Sequence, residues 1–395
     1  MPWKELRVMD LRKEFVLRAV NEMEVFQDLC QEYGISPKTG YKWKQRFIEY
    51  GLSGLSDESR RPELSPSELS ESTVCEMVRL KQAHIHWGPR KIREVYHKLH
   101  GPGGLPSETS FKRVLDKAGL VERCPRRCAS DAGRIQSRLL ATEPNELWTV
   151  DFKGWWYTPG GKRCEPLTVR DAFSRFILGI TVPPDATTVT VMSEFQHLFE
   201  RYGLPGTIRS DNGRPFAVSS APLGLSRLSV WWLALGIDLD RDDPGHPEQN
   251  GAHERMHRDI AGEVEGRIEG GLEENAAALE VWRCCYNEER PHEAIQMRRP
   301  AELYHRSSRP FTGTPERLEY PADLMDRQVT TVGTIQVSGC TIRISTALRG
   351  WNVGLKSIGQ NLYSLYFGRL CLGQVDLSSQ SFHVAPREPA RKEPQ

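Results

Sequence analysis

Three acidic residues lie in contexts where a carboxylate could do chemistry. Asp151 closes an apolar run of strand-forming residues, where an unpaired charge would be costly. Asp211 follows a second short strand pattern and is succeeded by a turn at Gly213, whereas Glu254 lies in a long helical pattern. An acid in a central strand, one at a neighbouring strand end and one on a covering helix can converge into an oxygen-only site that suits Mg²⁺. Two such ions, about 3.5 to 4 Å apart, clamp the attacking and leaving oxygens of an in-line phosphoryl displacement.

The region around these acids has the pattern of an α/β domain. Three successive strand patterns are followed by alternating helix and strand patterns, which predicts a mixed sheet with helices on its faces. The predicted strands are 147–152, 165–172, 176–182, 206–210 and 237–239, and the predicted helices are 187–202, 226–235, 248–268 and 272–286.

The chain before this region is basic and helical. Residues 1–142 contain 25 Lys and Arg against 19 Asp and Glu, which indicates a polyanionic partner. Two successive sets of three helical patterns, joined by short Gly-containing turns, predict two tandem helix-turn-helix units. The first set covers 12–20, 24–33 and 36–47, and the second covers 71–82, 88–99 and 107–118.

Basic side chains on these helices are the candidate DNA contacts. The third helical run of the first unit has no acid between Glu32 and Glu49 and carries aromatic residues among its cations. A helix that approaches phosphates and base edges should have this composition. A basic surface helix of an unrelated bundle is the alternative. The predicted DNA contacts in the two units are Lys38, Lys42, Lys44, Arg46, Arg90, Lys91 and Arg93.

Zinc binding is a second interpretation of part of this region. His84, His86, Cys124 and Cys128 supply the four nitrogen and sulfur ligands of a zinc site. Their spacing is loose, and a helical pattern already accounts for the residues between the two pairs. Ordinary surface histidines and buried cysteines are the favoured interpretation.

Short strand patterns punctuated by Gly and Asn fill the last part of the chain. Several short strands at close spacing predict a small β-barrel. The patterns cover 329–337, 341–345, 352–358, 362–367 and 370–376.

Five sequence features, in order, resemble the DDE transposases of the insertion-sequence type, in the retroviral-integrase superfamily. They are WTVD at 148–151, RDAFSR at 170–175, SDNG at 210–213, the stretch from Gly245 to Arg258, and Tyr286-Asn with Arg290-Pro-His and RPAELY downstream. The resemblance is strong over about residues 145–305, and it is specific because all five motifs occur in order. It implies an RNase H-like catalytic core, also described as the integrase catalytic core.

The fold class that follows is multidomain α+β. We expect N-terminal helix-turn-helix domains, a central RNase H-like α/β catalytic core with a mixed sheet, and a C-terminal small β-barrel. The expected segments are a helix-turn-helix domain at 1–56, a second helix-turn-helix-like domain at 67–121, a basic linker at 122–143, the core at 144–308, the barrel at 322–386 and a disordered tail at 387–395.

The resemblance implies that Asp151 and Asp211 are the first two catalytic acids and metal ligands. Glu248 and Glu254 are the candidates for the third, and Glu254 matches the family pattern, three residues after Gly251. Six residues at about 100° each leave the two glutamates roughly 120° apart around a helix, so they cannot both serve. Glu248 is better explained as an acid favoured at a helix N-terminus.

Other residues near the acids have weaker expectations. Asn250 shares the face of Glu254, and Arg258 follows it on the same helix, so both are expected to contact DNA. Asp171 is expected to be structural and to pair with Arg170 or Arg175. Lys153, Arg255 and His257 could meet phosphate or belong to a solvated face, and Trp155 and Trp156 are expected to pack.

One departure from the family lies between the second and third acids. The two are separated by 42 residues, more than in many relatives. The extra length falls around 217–232 and is expected to extend a loop and a helix. Trp231 and Trp232 in this segment are predicted to belong to the core.

If the resemblance holds, the protein binds the ends of a mobile element and catalyses metal-dependent strand cleavage and strand transfer into target DNA. The implied cofactor is two Mg²⁺ ions, with Mn²⁺ as a substitute. The implied partners are element ends, target DNA and further copies of the chain, and the need for an ATPase helper is left open. The alternatives are a non-enzymatic DNA-binding regulator and an RNase H-like nuclease without strand transfer.

Composition excludes several other classes of protein. The 395 residues contain no apolar stretch of the about 18 to 20 residues that a membrane span needs, and no apolar targeting segment at the start. Nine scattered cysteines fit a reducing cytosol better than a disulfide framework. We therefore expect a cytoplasmic, nucleoid-associated protein of a prokaryote with no membrane partner.

Overall fold

The computed structural model describes residues 8–57, 69–121, 139–242 and 251–386. The chain divides into two compact units, residues 1–70 and 71–395. The predicted basic linker, apart from residues 139–143, and the predicted tail lie outside the described residues, as do Glu248, Asn250, Cys124 and Cys128. No helix in the described part of the chain is long and apolar enough to cross a membrane.

The first unit contains three helices, α1 (Val8–Asn21), α2 (Phe26–Glu32) and α3 (Pro37–Tyr50). Its apolar core joins all three helices around Phe15, and Gly40 of α3 lets the helices approach closely. A Cβ at Gly40 would lie 2.7 Å from the Cys30 sulfur, so a larger residue would force the helices apart. Ser36 caps α3 as predicted, because its hydroxyl accepts a hydrogen bond from the Thr39 amide at 3.2 Å.

The second unit begins with another three-helix bundle, α4 (Glu71–Ala83), α5 (Pro89–His100) and α6 (Glu108–Lys117). The buried Lys81 ammonium holds the turn between α4 and α5, donating hydrogen bonds to the Ile85 carbonyl and, at 2.8 Å, to the Trp87 carbonyl. Ser107 caps α6 by accepting from the Ser110 amide at 3.1 Å. The predicted second set of helices is thus present.

The central domain is built on a five-stranded mixed sheet. Its order is β5-β4-β1-β6-β7, in which β4 is antiparallel to both β1 and β5, β6 is parallel to β1, and β7 is parallel to β6. A hairpin formed by β2 and β3, each of two residues, was not predicted from the sequence. The strands are β1 (Leu147–Phe152), β2 (Trp156–Tyr157), β3 (Arg163–Cys164), β4 (Leu167–Asp171), β5 (Ile177–Thr181), β6 (Thr207–Ser210) and β7 (Asp238–Arg241).

Helices cover both faces of this sheet. Val169 of β4 belongs to an apolar cluster with α7 and α8, whereas its neighbour Thr168 contacts α9, because successive side chains of a strand point to opposite faces. Trp231 and Trp232 of α8 are buried in the first cluster, as predicted. The helices are α7 (Thr188–Tyr202), α8 (Arg227–Ala234), α9 (Gly251–Glu263) and α10 (Leu272–Glu288).

The C-terminal strands enclose one apolar core and correspond to the predicted small barrel. Five strands form an antiparallel sheet in the order β14-β13-β12-β11-β8, and β9 pairs with β10 in a separate hairpin. The predicted strand 329–337 was too long, because a turn at Gly333, with φ of 81°, precedes β9. The strands are β8 (Met325–Gln328), β9 (Thr334–Val337), β10 (Cys340–Arg343), β11 (Asn352–Gly359), β12 (Leu362–Phe367), β13 (Leu370–Asp376) and β14 (Ser381–Val384).

The segment that lengthens the gap between Asp211 and Glu254 joins this C-terminal core to the central domain. Trp232 on α8 packs against the central sheet, whereas Val230 and Ala234 on the same helix belong to the C-terminal cluster. The longer gap therefore supplies a helix shared by two hydrophobic cores.

Candidate active site and DNA-binding surfaces

Asp151 lies in β1, and Asp211 directly follows β6, the strand that pairs with β1. β6 runs parallel to β1, with Leu147 opposite Thr207 and Thr149 opposite Arg209. Asp151 and Asp211 each lie two residues beyond that last pair, so both acids occur at the same end of two adjacent strands.

The Asp211 carboxylate is half-buried and stands near a second acid. The Gly213 amide donates a hydrogen bond to its Oδ1 at 3.1 Å. Burial raises the pKa of Asp211, and the negative charge of Asp242 raises it further. Both effects disfavour a bare carboxylate, so a bound cation would stabilise the ionised form.

Helix α9, which carries Glu254, packs on the face of the sheet that carries Thr168. His257, one turn after Glu254, places its ring Nδ1 3.9 Å from an Asp151 carboxylate oxygen and its Nε2 2.8 Å from the Thr168 hydroxyl. The buried His253 ring lies 3.1 Å from the same hydroxyl. The helix therefore docks beside Asp151 through His257. The side chain of Glu254 is exposed to solvent.

The histidines on α9 are held as neutral rings. Burial, followed by the nearby charges of Lys153 and Arg170, lowers the pKa of His257 to about 4. Burial also holds the pKa of the enclosed His253 well below its usual value. A neutral ring at His257 can accept or donate a hydrogen bond without placing a second cation beside Asp151.

Two buried arginines fix α9 relative to the sheet. Arg170 donates to the Ala252 carbonyl at 3.0 Å, in the first turn of α9. Arg290 pairs with Asp259 at 2.8 Å and with Glu263 at 3.3 Å, both on α9. These contacts give a physical reason for the RD and RPH motifs, since each arginine anchors the helix that carries Glu254.

Asp171 has a structural environment. Its buried carboxylate accepts hydrogen bonds from the Asn145 amide at 2.8 Å and from the Ser174 amide at 2.7 Å, and the Ser174 hydroxyl also donates to it. These donors stabilise the carboxylate, although burial still raises its pKa. Hydrogen bonds from Asn145, just before β1, and from Ser174, between β4 and β5, account for this acid, and the charge of Arg170 also stabilises its ionised form.

The donor set around Asp151 fits a hard divalent cation. Asp151, Asp211 and Glu254 offer carboxylate oxygens, which Mg²⁺ and Mn²⁺ prefer over nitrogen or sulfur. A cation bound there would favour the ionised form of Asp211, whose pKa is raised by burial and by the charge of Asp242. Thr168 is a site residue that the sequence did not predict, because only the strand pairing brings it opposite Asp151. His257 was expected to meet phosphate or to belong to a solvated face.

The predicted DNA contacts of the first unit separate into two groups. Lys38 and Lys42 are exposed on one face of α3. Lys44 pairs with Glu22 at 3.0 Å, and Arg46 donates to the Ser56 carbonyl at 3.0 Å. The latter two cations therefore stabilise the bundle.

The predicted DNA contacts of the second helix-turn-helix unit interact with other parts of the protein. Arg90 pairs with Glu108 of α6 and approaches Glu293 at 3.7 Å. Arg93 donates to the Pro106 carbonyl at 2.9 Å. Burial and the charge of Arg290 lower the pKa of Lys91 to about 8. α5 thus packs against the central domain, whereas basic residues on α6, which sequence analysis did not select, remain exposed: Lys112, Arg113 and Lys117.

Residues near β2 also have structural contacts. Lys153 pairs with Glu265 and lies 4.7 Å from the centre of the Trp156 ring. Trp156 is buried, as predicted, whereas Trp155 is 50% exposed. Arg258 is exposed on α9, on the helix of Glu254.

Family models match the two regions that the geometry distinguishes. Integrase core domain models match residues 141–247 and 235–300. A Homeodomain-like domain model matches residues 39–115, and a Helix-turn-helix domain model matches residues 12–63. The matched regions contain both three-helix bundles and the sheet that carries Asp151 and Asp211.

Two proteins of bacterial insertion elements are similar to the chain. The insertion element IS407 uncharacterized 31.7 kDa protein of Burkholderia multivorans is 25% identical over 253 residues, covering 64% of this chain and 87% of that protein. The insertion element IS476 uncharacterized 39.2 kDa protein of Xanthomonas euvesicatoria is 28% identical over 256 residues, covering 64% of this chain and 70% of that protein. The chain thus carries an integrase core domain preceded by helix-turn-helix domains, and it is similar to proteins of bacterial insertion elements.

A solved integrase structure also aligns with part of the chain. The HTLV-2 integrase catalytic core domain in complex with magnesium aligns over 42% of this chain and 99% of its own chain, with 16% identity and a TM-score of 0.33. The domains that the family models match are those of DNA binding and DNA integration.

Proposed function

We propose that this protein is a transposase that binds the ends of its mobile element and uses Asp151, Asp211 and Glu254 to cut and join DNA. The observation that carries the proposal is the parallel pairing of β1 and β6, since Asp151 and Asp211 each follow its last pair, Thr149 with Arg209, by two residues. The contact of His257 with Asp151 supports placing Glu254, one turn earlier on α9, beside the same pair. The proposed site thus draws on two strands and one helix.

The proposed reaction has two phosphoryl transfers. In the first, water attacks a phosphorus at the element end, and the departing oxygen leaves as a free 3′-hydroxyl. In the second, this 3′-hydroxyl attacks a target phosphorus and displaces a target 3′-oxygen, so one phosphodiester bond forms for each one broken and no ATP is consumed. Two Mg²⁺ ions, or Mn²⁺ as a substitute, supply when bound the Lewis acidity that such displacements need.

The transposase's own residues position these partners. The carboxylates of Asp151, Asp211 and Glu254 would hold the ions. The neutral His257 ring and the Thr168 hydroxyl keep α9 against β1, which fixes the spacing of the acids. Arg258, exposed on the same helix, and Asn250 are proposed to contact DNA near the reacting phosphate.

The domains around the site have proposed roles as well. The helix-turn-helix domains at 1–56 and 67–121 would bind the element end, through Lys38 and Lys42 above all, and the core at 144–308 would act on it. Two ends must be paired for transposition, so we propose a homo-oligomer assembled on DNA, with the region at 322–386 contacting DNA or a neighbouring copy. The proposed location is the bacterial cytoplasm, on chromosomal DNA.

A strand-transfer assay tests this proposal. Labelled element ends and a plasmid target are incubated with the full-length transposase and Mg²⁺, Mn²⁺ or a chelator. We expect joined product with either metal and none with the chelator. Specific end binding without metal-dependent cutting would favour the DNA-binding regulator, and cutting without joining would favour the nuclease.

The third acid is tested in the same assay by a matched pair of variants. Glu254→Gln is expected to abolish cleavage, whereas Glu248→Gln is expected to keep it. The two variants are matched, because each removes one negative charge close in sequence to the start of α9. The opposite outcome would transfer the role of third acid to Glu248.

A further inference from the structure

A cluster of potential metal ligands lies where the second three-helix bundle meets α10. His84, in the turn after α4, faces Cys285 of α10 and Glu289, the residue that caps the C-terminal end of α10, and one ligand atom from each lies within 4.8 Å of the others. The Cys285 sulfur is 3.7 Å from a Glu289 carboxylate oxygen. The cluster differs in ligand chemistry from the proposed catalytic site at Asp151, which offers only oxygen ligands.

The spacing of these side chains suits zinc. Cys285 and Glu289 are four residues apart on one helix face, the arrangement by which paired ligands on a helix hold one ion. Zinc–sulfur and zinc–oxygen bonds of about 2.3 and 2.1 Å at a tetrahedral angle place the two ligand atoms about 3.6 Å apart. The pair therefore has the separation of a zinc site already, and His84 supplies the third ligand.

The His84 ring is held in place by its surroundings. It stacks on Trp87, with ring centres 3.9 Å apart and planes inclined by 10°. Trp87 is buried, and its carbonyl accepts a hydrogen bond from the enclosed Lys81 ammonium at 2.8 Å. A ring fixed in this way loses little freedom on binding a metal.

We propose that His84, Cys285 and Glu289 bind one zinc ion, with water as the fourth ligand, that fastens the second helix-turn-helix unit to α10. Zinc binding would also affect the catalytic domain, because α10 ends just before Arg290, whose ion pairs hold α9 in place. The ion would thus tie an end-binding unit to the scaffold of the helix that carries Glu254. Bond formation needs no oxidant, since Cys285 only releases its proton to solvent.

Zinc content of the full-length protein tests the proposal. The protein is loaded with zinc, dialysed against zinc-free buffer that contains excess Mg²⁺, and analysed for metal by mass spectrometry. We expect about one zinc ion per chain in the wild type and a zinc affinity at least about 100-fold lower in Cys285→Ser and His84→Ala. Cys284→Ser is the matched control, because it removes the adjacent thiol, and it should keep the ion.

Two further variants separate this site from the others. Asp211→Asn should keep its zinc, which excludes the carboxylate site as the source. The double variant Cys124→Ser, Cys128→Ser should also keep it, which excludes a ligand set built from those cysteines. Circular dichroism checks that each variant is folded. Zinc retained by folded Cys285→Ser, zinc lost from the Cys124, Cys128 double variant alone, or no zinc in the wild type would each overturn the proposal.

Discussion

Replacing Gly213 by alanine should disable catalysis while leaving the fold intact. A Cβ at this position would lie 2.8 Å from Oδ2 of Asp211 and 3.4 Å from its Oδ1. Ordinary contact begins at 3.4 Å, so the nearer oxygen must retreat by about 0.6 Å. The three atoms nearest to the new methyl group all belong to the Asp211 carboxylate.

The size of the effect follows from that displacement. A misplacement of about 1 Å at a reacting group can reduce a rate about 100-fold, so a shift of about 0.6 Å predicts a reduction of about 10- to 100-fold. This corresponds to about 1.4 to 2.8 kcal/mol of activation free energy. The free energy of unfolding should change by less than about 1 kcal/mol, because Gly213 has no left-handed backbone conformation and the carboxylate can turn aside.

The assay is single-turnover cleavage of a labelled element end at saturating protein and fixed Mg²⁺. Gly262→Ala is the matched control, because it adds the same methyl group to α9, where a Cβ meets nothing within 4 Å. The control should cleave at the wild-type rate. Gly213→Ala that cleaves within twofold of wild type would show that the Asp211 position is not catalytic, and a variant that unfolds would show that Gly213 serves the fold instead.

Further predictions concern stability and DNA binding. Arg290→Met should lower the free energy of unfolding by about 2 to 4 kcal/mol in denaturant titrations, because it leaves two partly buried carboxylates without their cation. Burial lowers the pKa of His292 to about 3, so the unfolded chain binds a proton that the folded chain excludes. Stability should therefore fall as the pH drops from about 6.5 towards 3, by up to about 1.4 kcal/mol per pH unit from this group, and His292→Gln should flatten that slope. Lys38→Ala and Lys42→Ala should each reduce the salt dependence of end binding by about one ion, whereas Lys44→Ala, which removes a partner of Glu22, should not.

Local sequence signals predicted the elements of the fold well. β1 occurs at 147–152 as predicted, because a short apolar run bounded by turn residues is typical of a buried strand. The start of α3 was predicted by Ser36 and Pro37, which act on the adjacent backbone. The hairpin of β2 and β3 was missed because strands of two residues have no periodicity to detect.

Contacts between distant residues could not be read from the sequence in the same way. Lys44 and Arg46 have the same charge and helix as Lys42, yet their partners at Glu22 and Ser56 are set by the folding of the bundle. Basic residues on α5 were selected as DNA contacts for the same reason, although that helix packs against the central domain. The net charge of a segment predicts the sign of the charge on its binding partner, but it does not predict which basic side chains remain exposed.

Some residues of the candidate site could be predicted from local motifs, and others depend on contacts between distant residues. Asp151, Asp211 and Glu254 could be selected from motifs, because each motif combines an acid with a strand end or a helix start. Thr168 could not, since its role depends on the pairing of β4 with β1 and on the docking of α9.

The most direct test of the central claim compares cleavage rates of Asp151→Asn, Asp211→Asn and the double variant at saturating binding of the element end. If the two acids form one site, each single change should reduce the rate by at least about 1,000-fold, and the double variant should be no slower than the worse single variant. All three proteins should bind the element end as tightly as the wild type. Cleavage by Asp211→Asn within tenfold of wild type, or losses that multiply in the double variant, would contradict a shared site.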